Sequence, residues 1–265
     1  MRKNNLNIVI KKLKNKKVET NPFPHILIKN FIPEKLFYNF VKSLPNYNDL
    51  EGKNIFIQSK SKTKRSIFYE SKFFKKIMKE NLYFKEIIFI FKNLEKHLNI
   101  LFKKHLIENI NEDYNKLNSV FSCSFSSSVK NYIKSAHIDR REHKYHLLYY
   151  PQIQMNKGGE ICLWSSKKKK VYDVFPDKKK IKISKEIIPQ PNSCLISLNT
   201  PFSYHSVKKY FGEKERKYLY TVFDFPTSNE NYKLSKRKKG NNNNVFWKYP
   251  VRVFSKKRML NFVNE

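Results

Sequence analysis

His137 and Asp139, one residue apart, are followed far downstream by a lone histidine, His205, and then by Arg216. Two imidazoles and one carboxylate form a donor set that can hold one face of an Fe(II) ion and leave the opposite positions open to small molecules. The close pair suits this use, because on an extended segment side chains two positions apart point the same way and can share an ion. His205 must reach them through folding. A downstream guanidinium can grip a carboxylate with two parallel hydrogen bonds. His143 and His146 form a second close pair, but no third ligand cluster accompanies them, and a strand over Lys144 to Tyr150 places them on opposite faces, as structural or substrate-facing residues. Gly158-Gly159 precedes neither a helix signal nor a G-K-[ST] sequence, so a tight turn between strands is expected, not a phosphate loop. Trp164 is expected in the core, and the Lys167 to Lys170 run in a solvated loop.

Composition bounds what such a site can belong to. The chain has 265 residues, 40% hydrophobic and 15% aromatic, enough for one substantial domain with an extension. No apolar run approaches the ~18 residues of a membrane span, and the segment Ile87 to Phe91 is short and flanked by lysines. The lysine-rich start lacks the apolar stretch of a secretory signal, which makes the cytoplasm the expected location. Cys123, Cys162 and Cys194 form no C-x-x-C unit, so neither a zinc knuckle nor a disulfide framework is indicated, and all three are expected to be small buried residues. The formal charge of +33 invites a nucleic-acid reading. The excess is dispersed, mostly lysine, and accompanied by no helix-turn-helix, zinc-finger or RNP-type motif. The charge therefore predicts a field favourable to anionic substrates, with no specific nucleic acid as partner.

Five stretches can be distinguished. Residues 1-19 read as a loose basic arm in which Leu6 to Ile10 could supply an edge strand. Residues 20-118 form a support region: a strand entered through Pro22 and Pro24, a helix opened by Pro33 and running through Phe37, Phe40, Val41 and Leu44, and two amphipathic helices carrying Phe73, Phe74, Ile77, Met78 and then Ile87, Phe91, Leu94, Leu98, Leu101 and Phe102. These are expected to pack on a sheet. Over residues 119-226 the period changes, with short aromatic and β-branched runs at Val120 to Phe125, Tyr145 to Tyr150, Glu160 to Trp164, Ser193 to Leu198, Tyr204 to Val207 and Tyr218 to Phe225. Many short strands without intervening helices suggest a jelly roll. Lys167 to Lys170 and Asp177 to Lys180 read as a charged hairpin excursion. Residues 227-244 read as a Lys/Asn-rich loop, and residues 245-265 as a tail whose Phe246, Trp247, Tyr249, Val251 and Phe254 dock back.

Six blocks occur in an order that resembles the core of the 2-oxoglutarate and Fe(II)-dependent oxygenases, nearest to their prolyl 4-hydroxylase-like branch. They are Tyr132-Ile-Lys-Ser-Ala-His137-Ile-Asp139, Leu147-Leu-Tyr-Tyr-Pro, Gly158-Gly-Glu-Ile-Cys-Leu-Trp164, Pro191-Asn-Ser-Cys-Leu-Ile-Ser-Leu, Tyr204-His205-Ser-Val and Arg216-Lys-Tyr-Leu-Tyr. The resemblance covers about residues 120 to 226, and the segment from Asn21 to Ile28 is similar to the strand that begins many bacterial members. It implies an α+β fold with a double-stranded β-helix (jelly roll, cupin-like) core and supporting N-terminal helices. It implies Fe(II) held by His137, Asp139 and His205, with 2-oxoglutarate as co-substrate, O2 as oxidant and ascorbate as an optional reductant. Arg216 would pair with the far carboxylate of 2-oxoglutarate. Lys217 is the alternative, and would turn inward if Thr221 and Phe223 do. Tyr150 matches a place where relatives put a hydroxyl on the co-substrate. The implied reaction is hydroxylation of an organic or peptidyl substrate, prolyl-type, amino acid, sugar or surface-polysaccharide intermediate, with release of succinate and CO2. The alternatives are a non-catalytic jelly-roll binding module and a basic nucleic-acid-binding protein. Oligomeric state has no signature in the sequence.

Overall fold

The computed structural model of the chain describes residues 2–50, 63–109, 119–140, 143–166, 172–173, 176–225 and 251–252. Its strands are β1 (His25–Ile28), β2 (Lys64–Phe68), β3 (Val120–Ser128), β4 (Lys134–His137), β5 (His143–Gln152), β6 (Ile161–Ser166), β7 (Tyr172–Asp173), β8 (Ile181–Ile187), β9 (Ser193–Leu198), β10 (Tyr204–Val207), β11 (Arg216–Asp224) and β12 (Val251–Arg252). Six of them form an antiparallel sheet in the order β1-β9-β5-β11-β3-β2, and four form a second antiparallel sheet in the order β4-β10-β6-β8. Strands distant in sequence thus become neighbours, as a double-stranded β-helix requires.

Alternation gives the large sheet two different faces. Tyr145, Leu147 and Tyr149 of β5 and Leu219 and Phe223 of β11 pack with the helices, whereas Tyr150 and Tyr218 pack with Ile161, Leu163 and Ile187 of the small sheet. The site lies on the second side. On the first side six helices cover the sheet: α1 (Arg2–Lys14), α2 (Glu34–Lys42), α3 (Lys72–Glu80), α4 (Leu82–Lys92), α5 (Glu95–Leu101) and α6 (Lys103–Asn109). Phe40 and Phe91 meet Tyr149, Phe84 meets Phe125 and Phe102 meets Tyr145, at centroid distances of 5.6–6.2 Å. Each such fully buried ring contributes about 1.5–3 kcal/mol through the apolar area it removes from water.

Several expectations change. The opening segment is the helix α1, not a loose arm with an edge strand at Leu6 to Ile10: its Val9 and Leu13 are buried with Leu6 packed beside them, a helical stripe that lies against α4 and α5. The two helices foreseen after Ser71 are four. Asn81 both ends α3 and caps α4, accepting from the Phe84 backbone N–H at 2.9 Å, while Ser71 caps α3 through the Phe74 N–H at 3.1 Å. Strands β2 and β8 carry too many charged residues to show a clear apolar alternation. Asp177 caps a 3-10 turn at Lys178–Lys180 that leads into β8. Lys167 to Lys170 and most of the C-terminal tail lie outside the described residues, although the β12 backbone pairs in parallel with β7. All three cysteines are buried and free. Among the described residues no helix is long and apolar enough to cross a membrane.

Candidate metal centre

His137 ends β4, Asp139 follows two residues later, and His205 stands directly opposite His137 on the neighbouring strand β10. The two imidazole centroids are 4.4 Å apart. Nε2 of His137 lies 3.2 Å from Asp139 Oδ1, and Nε2 of His205 lies 3.3 Å from Oδ2. One donor atom from each of the three lies within 4.8 Å of the others. The remaining nitrogen of each ring meets a backbone carbonyl two residues upstream: Nδ1 of His137 on Ser135 O at 2.8 Å, and Nδ1 of His205 on Ser203 O at 3.1 Å. A carbonyl only accepts, so Nδ1 carries the proton and the Nε2 lone pair is left for an ion, the tautomer that metal ligation uses.

The electrostatics agree with this arrangement. Burial and the neighbouring His205 push the His137 imidazole down to about 4, so it is neutral at ordinary pH. Burial would raise the Asp139 carboxyl, but the imidazoles of His146 and His205 hold it well below the usual carboxylate range. Burial lowers and Asp139 raises the His205 imidazole, and the balance is upward. An entering cation would therefore displace a proton. Three neutral or anionic donors on one side, two nitrogen and one oxygen, fit Fe(II).

Arg216 opens β11 and turns between the sheets together with Tyr218 and Tyr220, every second residue. It is 1% exposed. Its Nη2 donates to the Tyr150 hydroxyl at 3.1 Å, and the guanidinium carbon lies 4.9, 5.1 and 5.6 Å from the ring centroids of Tyr150, Tyr218 and Tyr132. Nε is buried and meets no hydrogen-bond partner among the described residues. Among the described residues no carboxylate pairs with this cation, so it stands in a cage of tyrosines with its counter-charge missing. Burial pushes the Tyr150 phenol up to about 12 despite the nearby guanidinium, which keeps its hydroxyl neutral. Gly159 lies against this cage: a Cβ there would sit 3.5 Å from Arg216 Cδ and Nε, and its φ of +78° suits glycine. Gly158, at φ +74°, allows the Lys209 carbonyl to approach where a Cβ would meet it at 2.1 Å.

Lys217 points to the helical side. Its Nζ donates to Asn46 Oδ1 at 3.0 Å and lies 3.5 Å from Glu215 Oε2. Thr221 and Phe223 share that side, Thr221 bonding to Cys123 Sγ and Phe223 packing on Phe121, so the condition that would turn Lys217 inward is not met. Trp164 is half-buried, packs against the core and donates from Nε1 to Ser206 Oγ at 2.8 Å.

Four participants escaped the sequence reading. Tyr220 donates to Asp139 Oδ2 at 3.0 Å, His146 Nδ1 lies 3.3 Å from the same oxygen, and Tyr132 and Tyr218 complete the cage. The period-two signal was present, since Tyr218 and Tyr220 follow Arg216 at i+2 and i+4, and His146 precedes Tyr150 by four. His143 and His146 are not on opposite faces. A register shift beside His143 brings their rings to 5.5 Å, and His143 Nδ1 bonds to Asp224.

No family model matches the chain, and no curated protein matches its sequence. Solved structures do match its fold. A solved structure of a prolyl 4-hydroxylase from Phytophthora capsici gives a TM-score of 0.50 at 11% identity, covering 86% of this chain and 67% of that one. The Fe(II)/(alpha)ketoglutarate-dependent dioxygenase TqaL gives 0.50 at 10% identity, covering 87% and 90%. A prolyl-4-hydroxylase from Pseudomonas putida gives 0.47 at 14% identity, covering 83% and 99%. The chain thus has a prolyl 4-hydroxylase-like 2-oxoglutarate oxygenase fold, α+β with a double-stranded β-helix core.

Proposed function

We propose that this chain is a 2-oxoglutarate- and Fe(II)-dependent dioxygenase that hydroxylates an organic or peptidyl substrate. The observation that carries the reading is a pair of complementary charge features on one inter-sheet face: three converging metal donors, and a buried arginine that meets no carboxylate among the described residues. When bound, the metal with 2-oxoglutarate and dioxygen supplies an oxidation in which the co-substrate becomes succinate and carbon dioxide and one oxygen atom enters a substrate C–H bond.

The residues have distinct tasks. His137, Asp139 and His205 would hold Fe(II) from one side, each histidine oriented by its carbonyl tether. Arg216 would fix the far carboxylate of 2-oxoglutarate, with the neutral Tyr150 hydroxyl beside it as a further hydrogen-bonding partner. The low-dielectric space between the sheets strengthens both interactions and limits access of water.

Lys134 supports an anionic group on the substrate. Lys134 is exposed at the start of β4 and feels both the Lys64 ammonium and the Asp139 carboxylate, so two cations stand near the donor trio. Lys64 lies 5.3 Å from the Tyr218 ring centroid. Fold alone does not name a substrate, because one fold can carry sites for different substrates.

The direct test is succinate formation from 2-oxoglutarate under air with added Fe(II), first without substrate and then against pools of peptides, amino acids and sugars. Turnover should require Fe(II) and vanish in His205→Ala and Asp139→Ala. Turnover that persists in both variants would overturn the assignment, and metal binding without 2-oxoglutarate consumption would leave only a binding module.

A further inference from the structure

The two oxygens of Asp139 have unequal surroundings. Oδ1 lies 3.2 Å from the Nε2 of His137. Oδ2 accepts from Tyr220 Oη at 3.0 Å and has His146 Nδ1 at 3.3 Å as well as His205 Nε2 at 3.3 Å. Tyr220 cannot reach an ion through its hydroxyl while that hydroxyl carries a hydrogen to Oδ2, and His146 Nδ1 faces the same oxygen. Their positions are fixed from behind. The His146 ring is 5.8 Å from Tyr220, 6.0 Å from His205 and edge-on to His143 at 5.5 Å, and His143 is bonded to Asp224. His146 Nε2 is buried with no hydrogen-bond partner among the described residues, while Nδ1 faces Asp139.

We infer that Tyr220 and His146 are positioning residues that hold Oδ2 away from the metal, so that Asp139 gives the ion one oxygen and not two. This rests on the iron-site reading above. Its consequence is a count of open positions. With two imidazoles and one carboxylate oxygen holding it, the ion would keep its open side free for co-substrate and dioxygen. A carboxylate free to turn and bind through both oxygens would occupy one of the open positions. Removing the clamp should then weaken 2-oxoglutarate binding more than metal binding. Outer partners of metal ligands typically control affinity or activity by roughly 10–100-fold.

The test uses the full chain under anaerobic conditions with Co(II) as the spectroscopic probe and calorimetry for 2-oxoglutarate. Tyr220→Phe removes one hydroxyl and keeps the ring, His146→Leu removes the polar ring that faces Oδ2, and His146→Gln restores a polar group there. Expected results are a smaller loss of Co(II) affinity than of 2-oxoglutarate affinity, the latter down about tenfold in Tyr220→Phe and further in the double variant, an altered visible spectrum before co-substrate is added, and partial rescue by His146→Gln. Tyr220→Phe with parental 2-oxoglutarate affinity and spectrum overturns the clamp, as does an equal loss of metal and co-substrate binding. If the double variant melts early, Tyr220→Phe alone decides. A parent chain that takes up no Co(II) in a manner abolished by Asp139→Ala defeats the iron reading itself, and the clamp falls with it.

Discussion

Arg216→Met keeps much of the buried volume of the tyrosine cage and removes its charge. Each hydrogen bond to a charged group is worth about 1.5–3 kcal/mol, so losing a two-bond grip should weaken 2-oxoglutarate binding by 10²-fold or more, roughly. Lys217→Met should leave that affinity unchanged, because Lys217 lies on the other side of β11 and is occupied by Asn46 and Glu215. Calorimetric titration of both variants separates the two assignments, and a loss in Lys217→Met alone would reverse them. At this scale the donor trio and the arginine were legible, because residue type and a spacing of two are written directly in the chain. His146 and Tyr220 were not. Their roles depend on a register shift near His143 and on the parity of β11, and neither follows from local pattern alone.

Strand β5 joins the helical layer to the metal centre. Lys144 is fully buried, yet its ammonium reaches Glu95 at the start of α5, while the adjacent His143 and nearby His146 face the site. Removing one partner of a buried ion pair leaves an uncompensated charge. Glu95→Ala should therefore destabilise the chain by about 3 kcal/mol, the lower end of the range for such pairs, since Glu95 is 24% exposed. Lys144→Met in the same background should recover most of that loss. Chemical denaturation of the two variants checks both statements, and a single variant as stable as the parent would show the pair to be idle. The helices were foreseen in place but not in number, because apolar periodicity continues through Asn81 while its backbone does not. The strands with apolar alternation were legible; β2 and β8, at sheet edges, trade that pattern for lysines and serines.

For the molecule as a whole, the stability should fall on mild acidification. His25 on β1 is fully buried, bonds through Nδ1 to Phe23 O at 2.8 Å and faces the Lys185 ammonium through Nε2 at 3.3 Å. Burial lowers its pKa below the ordinary 6.5. The unfolded chain then takes up a proton below that value which the folded chain refuses, so stability is lost as pH falls from 6.5 toward the folded pKa, at up to about 1.4 kcal/mol per pH unit. His137 and His146, held near 4 and 3, act in the same direction. Denaturation midpoints between pH 7 and 5 should decline more gently in His25→Gln than in the parent; equal slopes would remove His25 from the account. The double-stranded β-helix as a class was visible in the order of strand runs, whereas the pairing of β1 with β9 and the helical α1 required long-range contacts. The carbonyl tethers on His137 and His205 have a consequence for divergence. Both histidines are aimed by main-chain oxygens, and a main-chain oxygen is present whatever side chain a position bears. Substitution at Ser135 leaves the His137 tether intact provided the strand keeps its path. A pocket steered in this way tolerates extensive rewriting of the side chains around it, so the aim of the two rings depends on the path of β4 and β10 more than on the residues beside them.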